Sequence, residues 1–390
     1  MHLDNLMKRI GLAYKAFADV FGGRPTSMVL APGRVHLLGE HTDYNGGYVL
    51  PLAIDLNVLL AARARPDKQV ILRAVGMRKR VRFSLDRLTP QARSPWTRHI
   101  QGMAWVLQQT GHTIRGMEGV IHCTLPPNSG LGFPAALGIA TAWMWNVLDE
   151  LALSRSAIAD LAIEAQRRFA VDVPGMADPL IITVAQDNRS LCVDCLDCTY
   201  SHHPPPHQAT IVICDVSARR SKASSAYASR KKQCHTVVNM LQKHLPHLNV
   251  LRNLTPEELT RYRDTLSDLL YRRALHVVTE NQRVLQGVQA LEEGDMQALG
   301  RLMNRSHRSL RDDFEISSPE LEAMWLAANE VDGCYGARMS GTGLGKYVVA
   351  LVNRRALTRF RTHVEKRFRA LTGKDATLRV VHPSGGVETI

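Results

Sequence analysis

Within Ala31–Pro51, APGRVHLLGEHTDYNGGYVLP, an arginine (Arg34), two carboxylates (Glu40, Asp43), a histidine (His41) and a threonine (Thr42) fall inside ten residues. Each hydroxyl of a polyhydroxylated ligand needs a donor and an acceptor held in place, and this cluster of hydrogen-bonding side chains answers that need. The competing reading is a solvated loop whose charges face water. Dense ionic content between two apolar strands argues for function instead.

Those strands are expected at Ser27–Leu30 and Tyr48–Ala64, with the polar segment as the loop between them and Asn45-Gly46-Gly47 as its turn. Met1–Phe21 reads as an amphipathic helix on the spacing of Leu3, Met7, Ile10 and Tyr14. Further β segments follow at 70–74, 81–84, 119–125 and 211–214. Helices are expected over 96–110, from about Pro134 and over 154–169, with long helices filling most of 225–329. The C-terminal part reads as β-rich, at 339–352 and 377–381. Strands, then helices, then strands argue an α+β fold rather than a doubly wound sheet.

At 390 residues the chain supports two lobes, divided here at the proline run Pro204–Pro206 into 1–205 and 206–390. The net charge of +13, with basic runs at Arg78–Arg80 and Arg230–Lys232, raises nucleic acid or acidic lipid as partners. No nucleic-acid motif accompanies them and aromatics make up only 6%, so the charge reads as solvated surface. Asp4, Lys8 and Arg9 interrupt the place where a signal peptide would need an apolar core. The uncharged run Gly130–Leu148 is rich in alanine and contains Gly, Pro, Thr and Asn, which suits a buried helix better than a membrane span. Cys192, Cys195 and Cys198, followed by His202, His203 and His207, have the superficial look of a zinc set. SLCVDC (190–195) reads as a strand, however, where a spacing of three puts Cys192 and Cys195 on opposite faces. Reduced cysteines and no export signal give a cytoplasmic expectation.

Four segments together resemble the galactokinases, within the GHMP superfamily of small-molecule kinases. They are Ala31–Pro51, SARRSKASSAYASRKKQC (217–234), SHRSLRDDFEISSPELE (306–322) and YGARMSGTG (335–343). The resemblance implies two α+β lobes with the active site in the cleft between them, and a hairpin over the cysteine-rich segment with Pro204–Pro206 as its loop. It implies transfer of the ATP γ-phosphate to the anomeric C1 hydroxyl of galactose or a related hexose. By the same resemblance Glu40, His41, Thr42 and Asp43 bind the sugar, with Tyr227 and the backbone near Gly175 completing the pocket. Asp178, in PGMADP, matches the catalytic aspartate that accepts or orients the hydroxyl proton. Arg34 would hold Asp178 ionised and stabilise charge on the transferring group, although an Asp-Arg pair is equally at home as a plain structural ion pair.

The nucleotide side departs from the family pattern. Asn128-Ser129-Gly130-Leu131-Gly132-Phe133-Pro134 keeps the glycines and helix start that bring amides and a helix dipole to phosphate, but lacks the run of three serines. Pro134 stands where the family places a magnesium-ligating serine, and Gln166 where it places a glutamate, so no residue is assigned as a metal ligand. Glu164 lies two residues away on a helix and faces elsewhere. Pro179 replaces the glutamine after the catalytic aspartate, and Lys346 stands in place of the second of two glycines, as a phosphate ligand or a surface lysine. ATP and Mg2+ are the cofactors the resemblance implies. The alternative reading is a sugar-binding sensor with a failed ATP/Mg2+ site, acting through a protein partner.

Overall fold

The computed structural model describes residues 2–77, 79–90, 96–126, 129–169, 175, 177–216, 223–341 and 347–390. In chain order, helix α1 (His2–Phe21) precedes strands β1 (Ser27–Leu38), β2 (Tyr48–Arg65), β3 (Gln69–Ala74) and β4 (Val81–Ser84). Helix α2 (Thr97–Gln109), strand β5 (Gly116–Cys123) and helices α3 (Phe133–Leu148), α4 (Arg155–Arg168) and α5 (Asp178–Val184) follow. Strands β6 (Ser190–Asp194), β7 (Thr199–His203) and β8 (Ala209–Asp215) lead to helices α6 (Ala223–Leu241), α7 (Pro256–Arg261), α8 (Asp268–Glu292), α9 (Met296–Asp312) and α10 (Pro319–Asn329). The chain closes with β9 (Cys334–Ser340), β10 (Tyr347–Asn353), α11 (Leu357–Thr372), β11 (Thr377–Val381) and β12 (Glu388–Thr389). This is the α+β arrangement expected.

Two compact units emerge: residues 1–34, 53–185 and 385–390 form one, and 35–52 with 186–384 form the other. Both are discontinuous in sequence, so they do not coincide with segments 1–205 and 206–390. The last strand pairs with the first, Val29 opposite Thr389, which ties the C-terminus into the first unit. Residues 186–205 belong to the second unit, where β6 pairs with Tyr48–Val49 of β2.

In the first unit the sheet order is β12-β1-β2-β5-β3-β4, with β3 and β5 parallel. Helix α1 packs Ala13 and Phe17 against Met28, Leu59, Ala61 and Val120. Its buried face is therefore not the expected one: Met7 and Tyr14 are exposed, while Arg9, Ala13, Phe17 and Val20 are inside. The expected stripe and the real one share Ile10, and periodicity alone cannot choose between overlapping stripes. Helix α3 is buried along most of its length, and no described helix is long and apolar enough to cross a membrane.

In the second unit β11-β8-β10-β9 form an antiparallel sheet packed against helices through Val212, Val348, Phe314, Phe360 and Phe368, among others. Helix α11 lies in the part expected to be β-rich, and Phe360, Val364 and Phe368 are its buried i, i+4, i+8 stripe. The expected hairpin loop at Pro204–Pro206 is also corrected. The β6–β7 turn is at residues 195–198, where Leu196 N–H bonds Asp194 Oδ1 and Cys198 takes φ +56°, and the prolines come after β7.

Candidate active site

Strand β1, not the expected loop, carries Arg34. The strand runs on to Leu38 because Ala31, Val35, Leu37 and Leu38 are all fully buried. Pro32 lies beyond the stretch that pairs with β12, which involves Val29 and Leu30. Gly33 is required by close approach: a Cβ there would lie 2.3 Å from Leu125 Cδ2 and 2.7 Å from the Leu131 carbonyl. The room it leaves lets Arg34 N–H donate to Leu131 O at 3.0 Å, which fixes the glycine-rich segment beside the arginine.

Arg34 and Asp178 meet in a buried two-pronged pair, Nε to Oδ1 at 2.7 Å and Nη2 to Oδ2 at 2.6 Å. The third donor used, Nη1, bonds the Gly130 carbonyl. Asp178 opens α5, and its N–H donates to Gly175 O at 3.0 Å. Gly175 has φ +90°, and a Cβ on it would stand 2.5 Å from Asp178 Oδ2, so glycine is what lets the backbone lie against the carboxylate.

The glycine-rich segment places Gly130 (φ +74°) and Gly132 (φ +83°) ahead of α3, whose N-cap is Gly132 with no side-chain cap. Ser129 is buried, and its hydroxyl accepts from Leu131 N–H at 3.3 Å. Phe133 and Pro134 are the first two helical residues, so proline removes one of the amides that a helix start normally offers. Asn128 and Lys346 lie outside the described residues.

Pro134 and Gln166 line one cavity of about 10 Å³, room for a single water, together with Arg98, His99 and Ala135. Gln166 is buried and its Oε1 has no hydrogen-bond partner. Burial and the neighbouring Arg98 press His99 down to about 4. Glu164 is ion-paired with Arg168. A hard dication such as Mg2+ asks for several oxygen ligands, carboxylates among them. Here one neutral amide oxygen, a proline and a guanidinium share the wall, and among the described residues no carboxylate does. These positions do not fit a protein-bound magnesium ion.

In the second unit the segment 39–48 is held by buried contacts distant in sequence. Glu40 accepts from Arg338 Nη2 at 2.5 Å and from Gly341 N–H at 3.0 Å. Arg338 also donates to His36 O at 2.9 Å. Gly39 N–H reaches Glu280 Oε1 at 2.9 Å, and His276 Nε2 lies 3.0 Å from the Glu40 carbonyl. Burial alone would raise the Glu280 carboxyl, but Arg283, His276, Arg338 and the Ser306 hydroxyl outweigh it and bring it to about 2. The Thr42 hydroxyl bonds Gly39 O and Tyr48 O at 2.8 and 2.6 Å, which commits it to shaping the loop. Asp43 starts a single 3₁₀ turn and is half-buried.

His41 takes φ +64°, a costly conformation for a non-glycine residue. Its ring lies among Tyr44, Tyr227 and Phe314, with centroids 5.8, 5.7 and 4.9 Å away. Nδ1 is 2.9 Å from the Tyr44 hydroxyl, whereas Nε2 is buried without a partner. Burial first, then the nearby His276 ring and the Arg230 and Arg338 guanidinium groups, push its pKa well below the ordinary value, so the ring is neutral. A neutral imidazole with one nitrogen unspent is suited to a sugar hydroxyl.

Sequence reasoning overlooked Tyr44, His276, Glu280, Phe314 and Arg338. Phe314 and Arg338 sit inside family-like segments and could have been found there. His276 and Glu280 are ordinary-looking positions on α8. The zinc reading of 192–207 finds no support in geometry: among the described residues no three His, Cys, Asp or Glu side chains form a metal-binding group.

Residues 15–64 match the family model for the galactokinase galactose-binding signature, 98–185 that for the GHMP kinases N-terminal domain, and 288–370 that for the GHMP kinases C-terminal region. A galactokinase of Roseiflexus sp. is 38% identical over 371 residues, 95% of each chain. A galactokinase of Chloroflexus aggregans is 34% identical over 384 residues, 98% of each. The crystal structure of Lactococcus lactis galactokinase complexed with galactose superposes with a TM-score of 0.92 at 30% identity, covering 97% of this chain and 98% of that one. A mevalonate kinase at 17% identity and TM-score 0.64 shares the fold.

Proposed function

The chain belongs to the galactokinase family of GHMP kinases and is a sugar kinase, and from that premise we propose that it moves the ATP γ-phosphate to the anomeric C1 hydroxyl of galactose. The observation that carries the proposal is the buried Arg34–Asp178 pair with Gly175 against its carboxylate. Asp178 takes the hydroxyl proton as the C1 oxygen attacks the γ-phosphorus and the bond to ADP breaks. Arg34 uses three of five N–H groups in the bonds described, so its charge and remaining donors are available to the transferring group. Ser129–Phe133 would meet the phosphates through backbone amides and the α3 dipole. Glu40, His41, Asp43 and Tyr227 would bind the sugar, with Thr42 and Gly175 shaping the backbone.

The test is a coupled ADP-release assay with galactose, ATP and MgCl2. Sugar-dependent ADP release is expected, and its absence at high enzyme concentration would overturn the proposal. The second reading, sugar binding without turnover, draws on Pro134 and Gln166. Calorimetry with galactose alone separates the two, since heat of binding without ADP release is the sensor's signature.

A further inference from the structure

We infer that the chain holds nucleotide phosphates at the start of α3 without a protein-bound magnesium ion, Arg98 supplying the positive charge there. The inference rests on the reading that ATP phosphates meet Ser129–Phe133. Arg98 lies in the first turn of α2 and lines the same cavity as Pro134 and Gln166, the two positions from which the family would hold the metal. A guanidinium on that wall attracts phosphate and repels a dication, so the charge it adds works against metal retention.

The Gln166 amide is the second observation. It is nine-tenths buried, its oxygen has no partner, and the cavity beside it has room for one small group. As a lone neutral oxygen it is a weak ligand for magnesium. Turned about its last torsion, the same amide presents two N–H donors to an anion. Neutral His99 is a further donor on the same wall. The rest of the lining (Gly102, Met103, Ala135, Gly138, Ala162 and Ala165) supplies no side-chain oxygen, so the polar groups on this wall are a guanidinium, an imidazole and one amide, none of them a carboxylate for a metal.

The experiment is calorimetric titration of ATP into the full chain, once in MgCl2 and once in EDTA. The inference expects the two dissociation constants to agree within about twofold, and Arg98→Gln to weaken metal-free binding by about tenfold. Pro134→Ser with Gln166→Glu should introduce a magnesium preference of about tenfold or more. A wild-type chain that binds ATP at least about tenfold tighter with magnesium overturns the inference, as does undiminished metal-free binding in Arg98→Gln. No ATP binding under either condition overturns the underlying reading of the phosphate site, and the inference with it.

Discussion

Replacing Asp178 by asparagine tests the buried pair at nearly constant shape. In the native chain two guanidinium N–H groups meet two carboxylate oxygens at 2.7 and 2.6 Å, with both side chains out of water. Asparagine keeps one acceptor but turns an NH2 toward the other guanidinium N–H, so donor faces donor. One charge-assisted hydrogen bond is lost, about 1.5–3 kcal/mol. The larger cost is a guanidinium left buried without its counter-charge, since the Gly130 carbonyl is a dipole and cannot neutralise it. Together these amount to about 3–5 kcal/mol. At roughly 2–4 °C per kcal/mol, Tm should fall by roughly 6–20 °C in scanning calorimetry. The coupled ADP-release assay should lose about 10²–10⁴-fold in rate as the proton acceptor disappears. Arg34→Gln and the double variant close a cycle whose coupling energy should be about 2 kcal/mol or more. If the single variants melt within 2 °C or so of wild type and their effects simply add, the pair does not hold this site together.

Three other predictions follow from the geometry. Gly175→Ala forces a Cβ to 2.5–2.8 Å from the Asp178 carboxylate at φ +90°, so stability should drop by about 1–3 kcal/mol and turnover with it; an unaffected urea midpoint and rate would contradict this. Glu40→Gln leaves Arg338 buried without its counter-ion, and should cost about 3–5 kcal/mol and weaken galactose binding measured by calorimetry. His276 and His99 are held near 4 and His41 well below 6.5, so each takes up a proton more readily when unfolded. Their contribution is therefore complete above about pH 6.5 and lost as pH falls toward 4. Melting temperature should decline from pH 7 to 5, and a flat profile there would remove buried neutral histidines from the account.

How far the chain could be read in advance depended on how local each signal was. Helix α4 is announced by Ser154 as its cap, and the start of α3 by the glycines before Phe133 and Pro134. The buried face of α1 was misjudged because its stripe competes with a neighbouring one, and only contact with Met28, Leu59 and Val120 selects Ala13 and Phe17. Arg338, His276 and Glu280 lie 298, 236 and 241 positions from the segment they support, and no local pattern advertises such pairings.

Residue types and order determined which chemistry was available: a carboxylate and a guanidinium at 178 and 34, a polar sugar-type loop at 40–43, glycines before a helix, and no acidic residue at 134 or 166. Tertiary structure decided which of those capacities are already spent. Thr42 has its one hydroxyl proton shared between two backbone carbonyls, Glu40 is engaged by Arg338 and Gly341, and His41 and Gln166 each retain a buried atom without a partner. A side chain's type states how many hydrogen bonds it can make. Once water is excluded, only the neighbours brought in by folding determine how many remain for a ligand.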